Sequence, residues 1–316
     1  MSPAEQRLDR PTKSTALVTG RRRVLSAAVS VAALLVGSIL TIAVAPAASA
    51  ARAGAADNAA PATPAVPAFV QQVSAHGSGK SSISVTPGLN VTAGDRFVVE
   101  VGIWAASHPT AASVTDSSGD PFVEVTHFTA SDGTEMSIWT GPILTGGSAP
   151  TITAKPTAAG DMAIIALEYS GLSTVPGITA VDQVSHSIGS TTSAATVQSV
   201  PTAPAAAGNE LAVGFYADSG FGDTLAGGAG YTVRANESPA SDIEMLAEDQ
   251  PVSQGATPAA SAQTGANTIW LMATVVFVSS TPSAPAAAPE GVNASPGNST
   301  ANLSWTAPAQ GGGQSR

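Results

Sequence analysis

The chain reads as an all-β protein, an antiparallel β-sandwich or jelly-roll-like domain, and three observations lead there. The first is periodicity. From Arg96 to Trp104 the residues Phe97, Val99, Val101 and Ile103 alternate with Arg96, Val98, Glu100, Gly102 and Trp104, which is the period of a half-buried strand. The second is punctuation: Thr92-Ala-Gly-Asp95, Asp116-Ser-Ser-Gly-Asp120, Ser131-Asp-Gly133, Gly146-Gly147 and Ala207-Gly-Asn209 separate the apolar segments with turn-forming residues. The third is composition. Gly 31 and Pro 23 in 316 residues, on an Ala, Ser, Thr and Val background without an amphipathic helical repeat, suit many short strands.

Taken from the amino terminus, residues 1–50 read as an export signal. Arg21-Arg22-Arg23 precede an apolar run from Val24 to Val44, which ends in Ala45-Pro46 and then Ala48-Ser49-Ala50. Charged region, apolar region and small-residue site follow the secretory order, with cleavage expected after Ala50. The arginines resemble a twin-arginine export signal, although Gly20 stands where Ser or Thr is usual; general secretion stays open. The alternative is an uncleaved anchor, since about 20 apolar residues span a bilayer. Residues 51–66 form an Ala/Pro leader with too few bulky apolar side chains to fold.

The main β domain is expected from 67 to 280. Beyond Arg96–Trp104, strands are predicted at Ser81–Val85, Phe122–Phe128, Glu135–Trp139, Met162–Tyr169, Glu210–Asp218, Tyr231–Ala235 and Thr268–Val278. Within Ala75-His-Gly-Ser-Gly-Lys-Ser81, Gly-Lys-Ser is the end of a phosphate-binding loop. Ser74 stands where that motif needs its first glycine, and a strand pattern follows, so a hairpin turn is the better reading. A repeat is also visible. Glu135-Met136 recurs as Glu244-Met245, Pro142 as Pro251 and Gly146 as Gly255 at an offset of 109, and Ala93-Gly-Asp95 matches Ala207-Gly-Asn209 at 114. Two similar halves, arising by internal duplication and forming one pseudo-symmetric sandwich, are the expectation.

A Pro/Ala linker follows at 281–289. Residues 290–316 open with Glu290-Gly-Val-Asn-Ala294 and continue to Ala301-Asn-Leu-Ser-Trp-Thr-Ala-Pro308. Together with Pro289 this resembles the start of a fibronectin type III module, as found in secreted multi-module proteins of actinobacteria. The resemblance implies that Trp305 is the core tryptophan of the second strand. It covers two strands of a module that needs roughly 90 to 100 residues, so Trp305 is expected short of a core. The resemblance also implies an extracellular, polysaccharide-degrading context.

Charge and cysteine narrow the function classes. There is no cysteine, so disulfides and thiolate metal sites are excluded. Six of the twelve basic residues precede residue 50 with only Glu5 and Asp9 opposing them, so the remainder sets six basic against twenty acidic residues, a formal −14. Such a chain repels nucleic acid and anionic membranes and is expected to be monomeric. No Ser lies in a nucleophile elbow, and His76, His108, His127 and His186 lack chelating spacing. Asp116 with Asp120, and Asp218 with Asp223, could supply oxygen ligands to calcium, the sole cofactor considered; turn formation is the competing role. Glu100, Glu135, Glu168, Glu244, Glu248 and Asp249 are candidate glycosidase carboxylates, with nothing to select a pair.

Aromatic residues out of phase with the apolar ones give the candidate ligand-binding set. Trp104 shares a strand face with Glu100, Trp139 with Glu135, and Tyr216 keeps phase with Glu210 and Asp218. A ring beside a carboxylate on an exposed face suits a sugar, and packing beneath a loop is the alternative. The expectation is an exported, non-catalytic β-sandwich module that binds carbohydrate or cell-surface material. A glycoside hydrolase or accessory component of polysaccharide degradation, and a structural wall or adhesion protein, are the alternatives.

Overall fold

The computed structural model describes residues 64–220, 225–239, 242–281, 290–296 and 301–306. The export signal, the leader up to residue 63, Asp223, linker residues 282–289 and the tail from 307 lie outside them. Within the described residues the chain is all-β. Its first half holds β1 (Ala68–Lys80), β2 (Ile83–Val85), β3 (Arg96–Trp104), β4 (Ala111–Asp116), β5 (Val123–Thr129), β6 (Thr134–Pro142), β7 (Ile152–Pro156) and β8 (Gly160–Ser170). They form a five-stranded sheet, β1-β8-β3-β6-β5, and a three-stranded sheet, β2-β7-β4.

After a 3-10 turn at Ile178–Ala180 come β9 (Val181–Ser190), β10 (Ala195–Gln198), β11 (Glu210–Asp218), β12 (Ala226–Gly227), β13 (Thr232–Glu237), β14 (Glu244–Val252), β15 (Ser261–Thr264) and β16 (Ile269–Phe277). Their sheets are ordered β9-β16-β11-β14-β13 and β10-β15-β12. The second half thus runs through the strand order of the first, and every ladder is antiparallel. A separate antiparallel pair joins β17 (Glu290–Pro296) to β18 (Ala301–Thr306), with Trp305 61% exposed.

The layering differs from one sandwich shared between two halves. Each half is a sandwich of its own, five strands over three, and the two five-stranded sheets pack against each other. Val98, Met136, Ile138, Ile165 and Leu167 of the first half share a core with Val213, Phe215, Met245, Ala247 and Val275 of the second. On its other face the first five-stranded sheet packs Phe97, Val99, Val101 and Ile103 against Ile83, Val114 and Ile152 of the three-stranded sheet. Tyr216, Leu246 and Met272 pack likewise against Val197 and Ala262 in the second half. Both faces of β3, β6 and β11 are therefore dry, although their alternation resembles that of one-sided strands.

Polar groups fasten the halves. The buried Arg96 donates from Nε to Ser173 O (2.6 Å), from Nη2 to Val175 O (2.6 Å) and from Nη1 to Thr140 Oγ1 (3.2 Å), pinning the segment that joins β8 to β9. Arg234 pairs bidentately with Asp249 (2.8 and 3.0 Å), which also accepts the Tyr169 hydroxyl (2.8 Å), while the guanidinium lies 4.6 Å from the centre of the Phe69 ring.

One expected turn is corrected. Ala75–Lys80 continue β1 opposite β8, with a register shift between Gly77 and Lys80 and Gly79 at φ +63°. A bulged strand end absorbs the glycines there, and the chain turns only after Lys80.

Candidate functional site

Trp104, Glu100, Trp139, Glu135 and Tyr216 occupy the phases that the alternation assigns, but those phases are not exposed. Glu100 and half-buried Trp104 face the layer between the two five-stranded sheets, and the Trp104 indole N–H donates to Asp132 O (3.0 Å). Trp139 is buried in the outer core of the first half, donating to Ser137 Oγ (3.1 Å), with Glu135 buried on the same face. Tyr216 is buried in the outer core of the second half and donates to Asp218 Oδ2 (2.6 Å). The reading of these residues as an exposed sugar platform is thereby corrected, because a second sheet covers each face on which they lie.

Burial sets the chemistry of the carboxyl groups. Both oxygens of Glu100 lack a hydrogen-bond partner among the described residues, and desolvation holds its pKa well above the ordinary value. Desolvation likewise pushes Glu135 up to about 8, opposed by the Ala111 amide at 3.5 Å from its Oε1. Glu248 sits against three residues without side chains, Gly214, Gly227 and Gly228. It accepts the amides of Gly228 (2.7 Å) and Ser261 (3.3 Å), and desolvation raises it to about 7.

Asp116 behaves as a turn former. Its Oδ1 accepts the amides of Ser118, Gly119 and Asp120 at 3.1, 2.7 and 3.0 Å, while Asp120 Oδ1 accepts the Leu144 amide at 2.9 Å. Desolvation by burial, and then the neighbouring Asp116 carboxyl, raises the pKa of Asp120. Asp218 Oδ1 accepts the Gly220 amide at 2.7 Å. No group of three or more His, Cys, Asp or Glu able to hold a metal occurs among the described residues.

Among the histidines, His76 meets Asp242 at 3.2 Å, His127 meets Glu124 at 2.5 Å, and His186 stacks on Phe128 with ring centres 4.4 Å apart.

Two places bring polar or apolar groups together in ways the linear sequence hides. At the end of the second half where β11 finishes, Glu244, Asp218 and Trp270 are directly opposed on β14, β11 and β16 and share one face. Tyr216 and Thr264 meet beside them at 2.5 Å. Asp218, Glu244 and Tyr216 are fully buried. Strand pairing, not spacing, makes this row, so only Tyr216, Asp218 and Glu244 were legible beforehand.

The opposite end, where β3 and β11 begin, carries exposed aliphatic side chains. Val66, Leu89, Leu144, Val175 and Ile178 are between 51% and 70% exposed. Hydrogen bonds locate three of them there: Leu89 is tied to Gln71, Leu144 to Asp120 and Val175 to Arg96. Val66 lies beside Gly171, whose missing side chain leaves room for the Val66 carbonyl. A depression of about 210 Å³ lined by Val66, Pro67, Asn209, Glu210 and Gln254 opens on the same end, below the usual size of a small-molecule site. Comparison with known protein families, curated proteins and solved structures returns no match.

Proposed function

We propose that this is an exported, non-catalytic double-sandwich module that binds cell-surface material through the end at which β3 and β11 begin. The observation that carries the reading is the crown of Val66, Leu89, Leu144, Val175 and Ile178 on loops at that end. Exposed aliphatic side chains gathered on loops of a rigid scaffold mark a contact surface. Their aliphatic chemistry suits an apolar contact with a wall polymer or surface protein more than a stacked pyranose. Internal duplication of a five-over-three sandwich is part of the proposal, supported by the common strand order. Export rests on the amino-terminal signal pattern.

A second reading, glycoside hydrolysis, is favoured by one observation. Asp218 and Glu244 are cross-strand neighbours on one face, which places their Cβ atoms roughly 5 Å apart. Carboxyl groups carried on opposed strand positions can reach the short separation that a retaining glycosidase uses, and substrate would reach this fully buried pair only if the end of β11 opens.

Residues 51–316, incubated with insoluble chitin, cellulose, xylan and purified cell wall, decide among the readings when retention and released reducing sugar are both measured. Retention that falls at least about tenfold in the double variant Leu89→Ser, Leu144→Ser, with no sugar released, is the expected result. Retention untouched by that variant overturns the crown. Sugar release abolished by Glu244→Gln establishes the hydrolase, and neither retention nor release favours a structural wall protein.

A further inference from the structure

Asp120-Pro121 is the one Asp-Pro pair in the sequence, and it stands in the turn that joins β4 to β5. The bond to proline is a tertiary amide. An aspartyl side chain can close a five-membered ring on its own main-chain carbonyl carbon, so an Asp-Pro bond carries its own carboxyl nucleophile. The fold engages every polar group of Asp120 but one. Its amide donates to Asp116 Oδ1 (3.0 Å), its carbonyl oxygen accepts the Phe122 amide (3.0 Å), and its Oδ1 accepts the Leu144 amide (2.9 Å). Oδ2 is left: it is buried and has no hydrogen-bond partner among the described residues, in a side chain that belongs to a residue only 7% exposed. Asp116 Oδ2 is buried and unpartnered in the same way, while its Oδ1 orders the turn.

Packing fixes the leaving side of the bond as well. The Phe122 ring stacks on Phe97 of β3, with centres 6.1 Å apart and planes at 18°. A Cβ on Gly141 of β6 would lie 3.2 Å from Phe122 Cγ and 3.3 Å from Pro121 O, so the missing side chain seats Pro121 and Phe122 closely on that strand. The Phe122 amide is thereby held on the carbonyl oxygen of Asp120, the place where negative charge develops when that carbonyl is attacked. A residue held at its amide, its carbonyl and one carboxyl oxygen has little orientation left to lose before reaction.

We propose that the Asp120–Pro121 bond is a self-cleaving site, at which the Asp120 carboxyl attacks its own main-chain carbonyl and the folded turn speeds that attack. Oδ2 adds to the carbonyl carbon, and the Phe122 N–H stabilises the oxyanion that forms. Collapse breaks the C–N bond, whose electron pair stays on the Pro121 nitrogen. The proton lost by the Asp120 carboxyl ends on that nitrogen, with the neighbouring Asp116 carboxyl as its relay. A cyclic anhydride is left on Asp120 and one water opens it, so the net change is hydrolysis to an Asp120 carboxyl terminus and a Pro121 amino terminus. Burial favours the protonated starting form: desolvation raises the Asp120 pKa, opposed by the Leu144 amide and reinforced by Asp116. After the cut β1 and β3 stay paired with β8, β3 with β6, and β2 and β4 with β7, so the two pieces remain together as one folded body.

The purified chain, incubated folded at pH 5 and in parallel unfolded in guanidinium chloride at the same pH, tests this. Intact mass and amino-terminal sequencing, both after denaturation, count the cut at Pro121. The unfolded chain reports the intrinsic lability of an Asp-Pro bond, and cleavage at least about tenfold faster in the folded chain is expected. Asp120→Asn, which removes the carboxyl nucleophile, should abolish the cut. Asp116→Asn, which keeps the oxygen that orders the turn, should slow it, and an unchanged rate there overturns the relay. A folded chain that cleaves no faster than the unfolded one overturns the proposal without any variant having to fold, as does cleavage of folded Asp120→Asn at the wild-type rate.

Discussion

Glu100 is a buried carboxylic acid to which the described residues offer no hydrogen-bond partner. Its neighbours across the strands are Ile138 and Ile165, and it points into the layer between the five-stranded sheets. Phase analysis put Glu100 and Trp104 on one face correctly, and did the same for Trp139 with Glu135. What it could not supply was exposure, because a sheet covered on both sides and one covered on a single side share the same period. An unsatisfied buried carboxyl costs roughly 1 to 3 kcal/mol. Glu100→Leu is therefore expected to raise the midpoint of chemical unfolding by that amount. Because the native pKa is raised, the wild-type penalty grows as pH rises above the ordinary glutamate value. The gain from Glu100→Leu should accordingly be larger at pH 8 than at pH 4, and Glu100→Gln should recover less of it. A neutral or destabilising Glu100→Leu would show that the carboxyl has partners in solution.

At the scale of elements, pairing register decides what the repeat means. The Glu-Met offset of 109 holds between β6 and β14, but Ile103 faces Glu135 where Asp218 faces Glu244, so β3 and β11 correspond at 115 rather than 114. On the far side Ile103 pairs with Met162 and Asp218 with Trp270, an offset of 108. A one-residue slip moves every side chain to the other face, so sequence identities at 114 align inward positions with outward ones. Each of the predicted strands is present, since central strands carry long apolar alternation. The reading does not reach β1, β4, β7, β9 and β14, nor β10, β12 and β15; the last three span four, two and four residues of mostly Ala, Gly, Ser, Thr and Gln, a pattern that polar turns share. The close approach of the halves has a residue-level requirement: a Cβ on Gly102 would lie 2.7 Å from Met245 Sδ and 2.9 Å from Ile243 Cγ2. Gly102→Val should destabilise the protein by roughly 1 to 3 kcal/mol through overpacking, read as a lowered unfolding midpoint. Full stability in that variant would mean that the two sheets are not pressed together at β3.

Over the whole molecule, four layers of sheet bury acids that a single sandwich would have left in water, and this fixes how stability must vary with pH. Six carboxyl groups among the described residues are displaced upward, chiefly by desolvation: Asp95 to about 6, Glu210 and Glu248 to about 7, Glu135 to about 8, with Asp120 and Glu100 also raised. In the unfolded chain these groups titrate near 4. Between that value and each native pKa the folded state binds more protons than the unfolded one, so unfolding becomes easier as pH rises. Stability from these groups is fully present below about pH 4 and is lost as pH passes through about 6, 7 and 8 in turn. Each titrating carboxyl contributes a slope of up to roughly 1.4 kcal/mol per pH unit before solvent screening reduces it. The negative balance of the chain after residue 50 adds self-repulsion in the same direction. Unfolding midpoints measured from pH 4 to pH 9 at constant ionic strength should therefore be highest at the acidic end and fall through neutrality. A maximum near pH 7 to 8 would mean that the buried acids are ionised in the native state and compensated by partners or water.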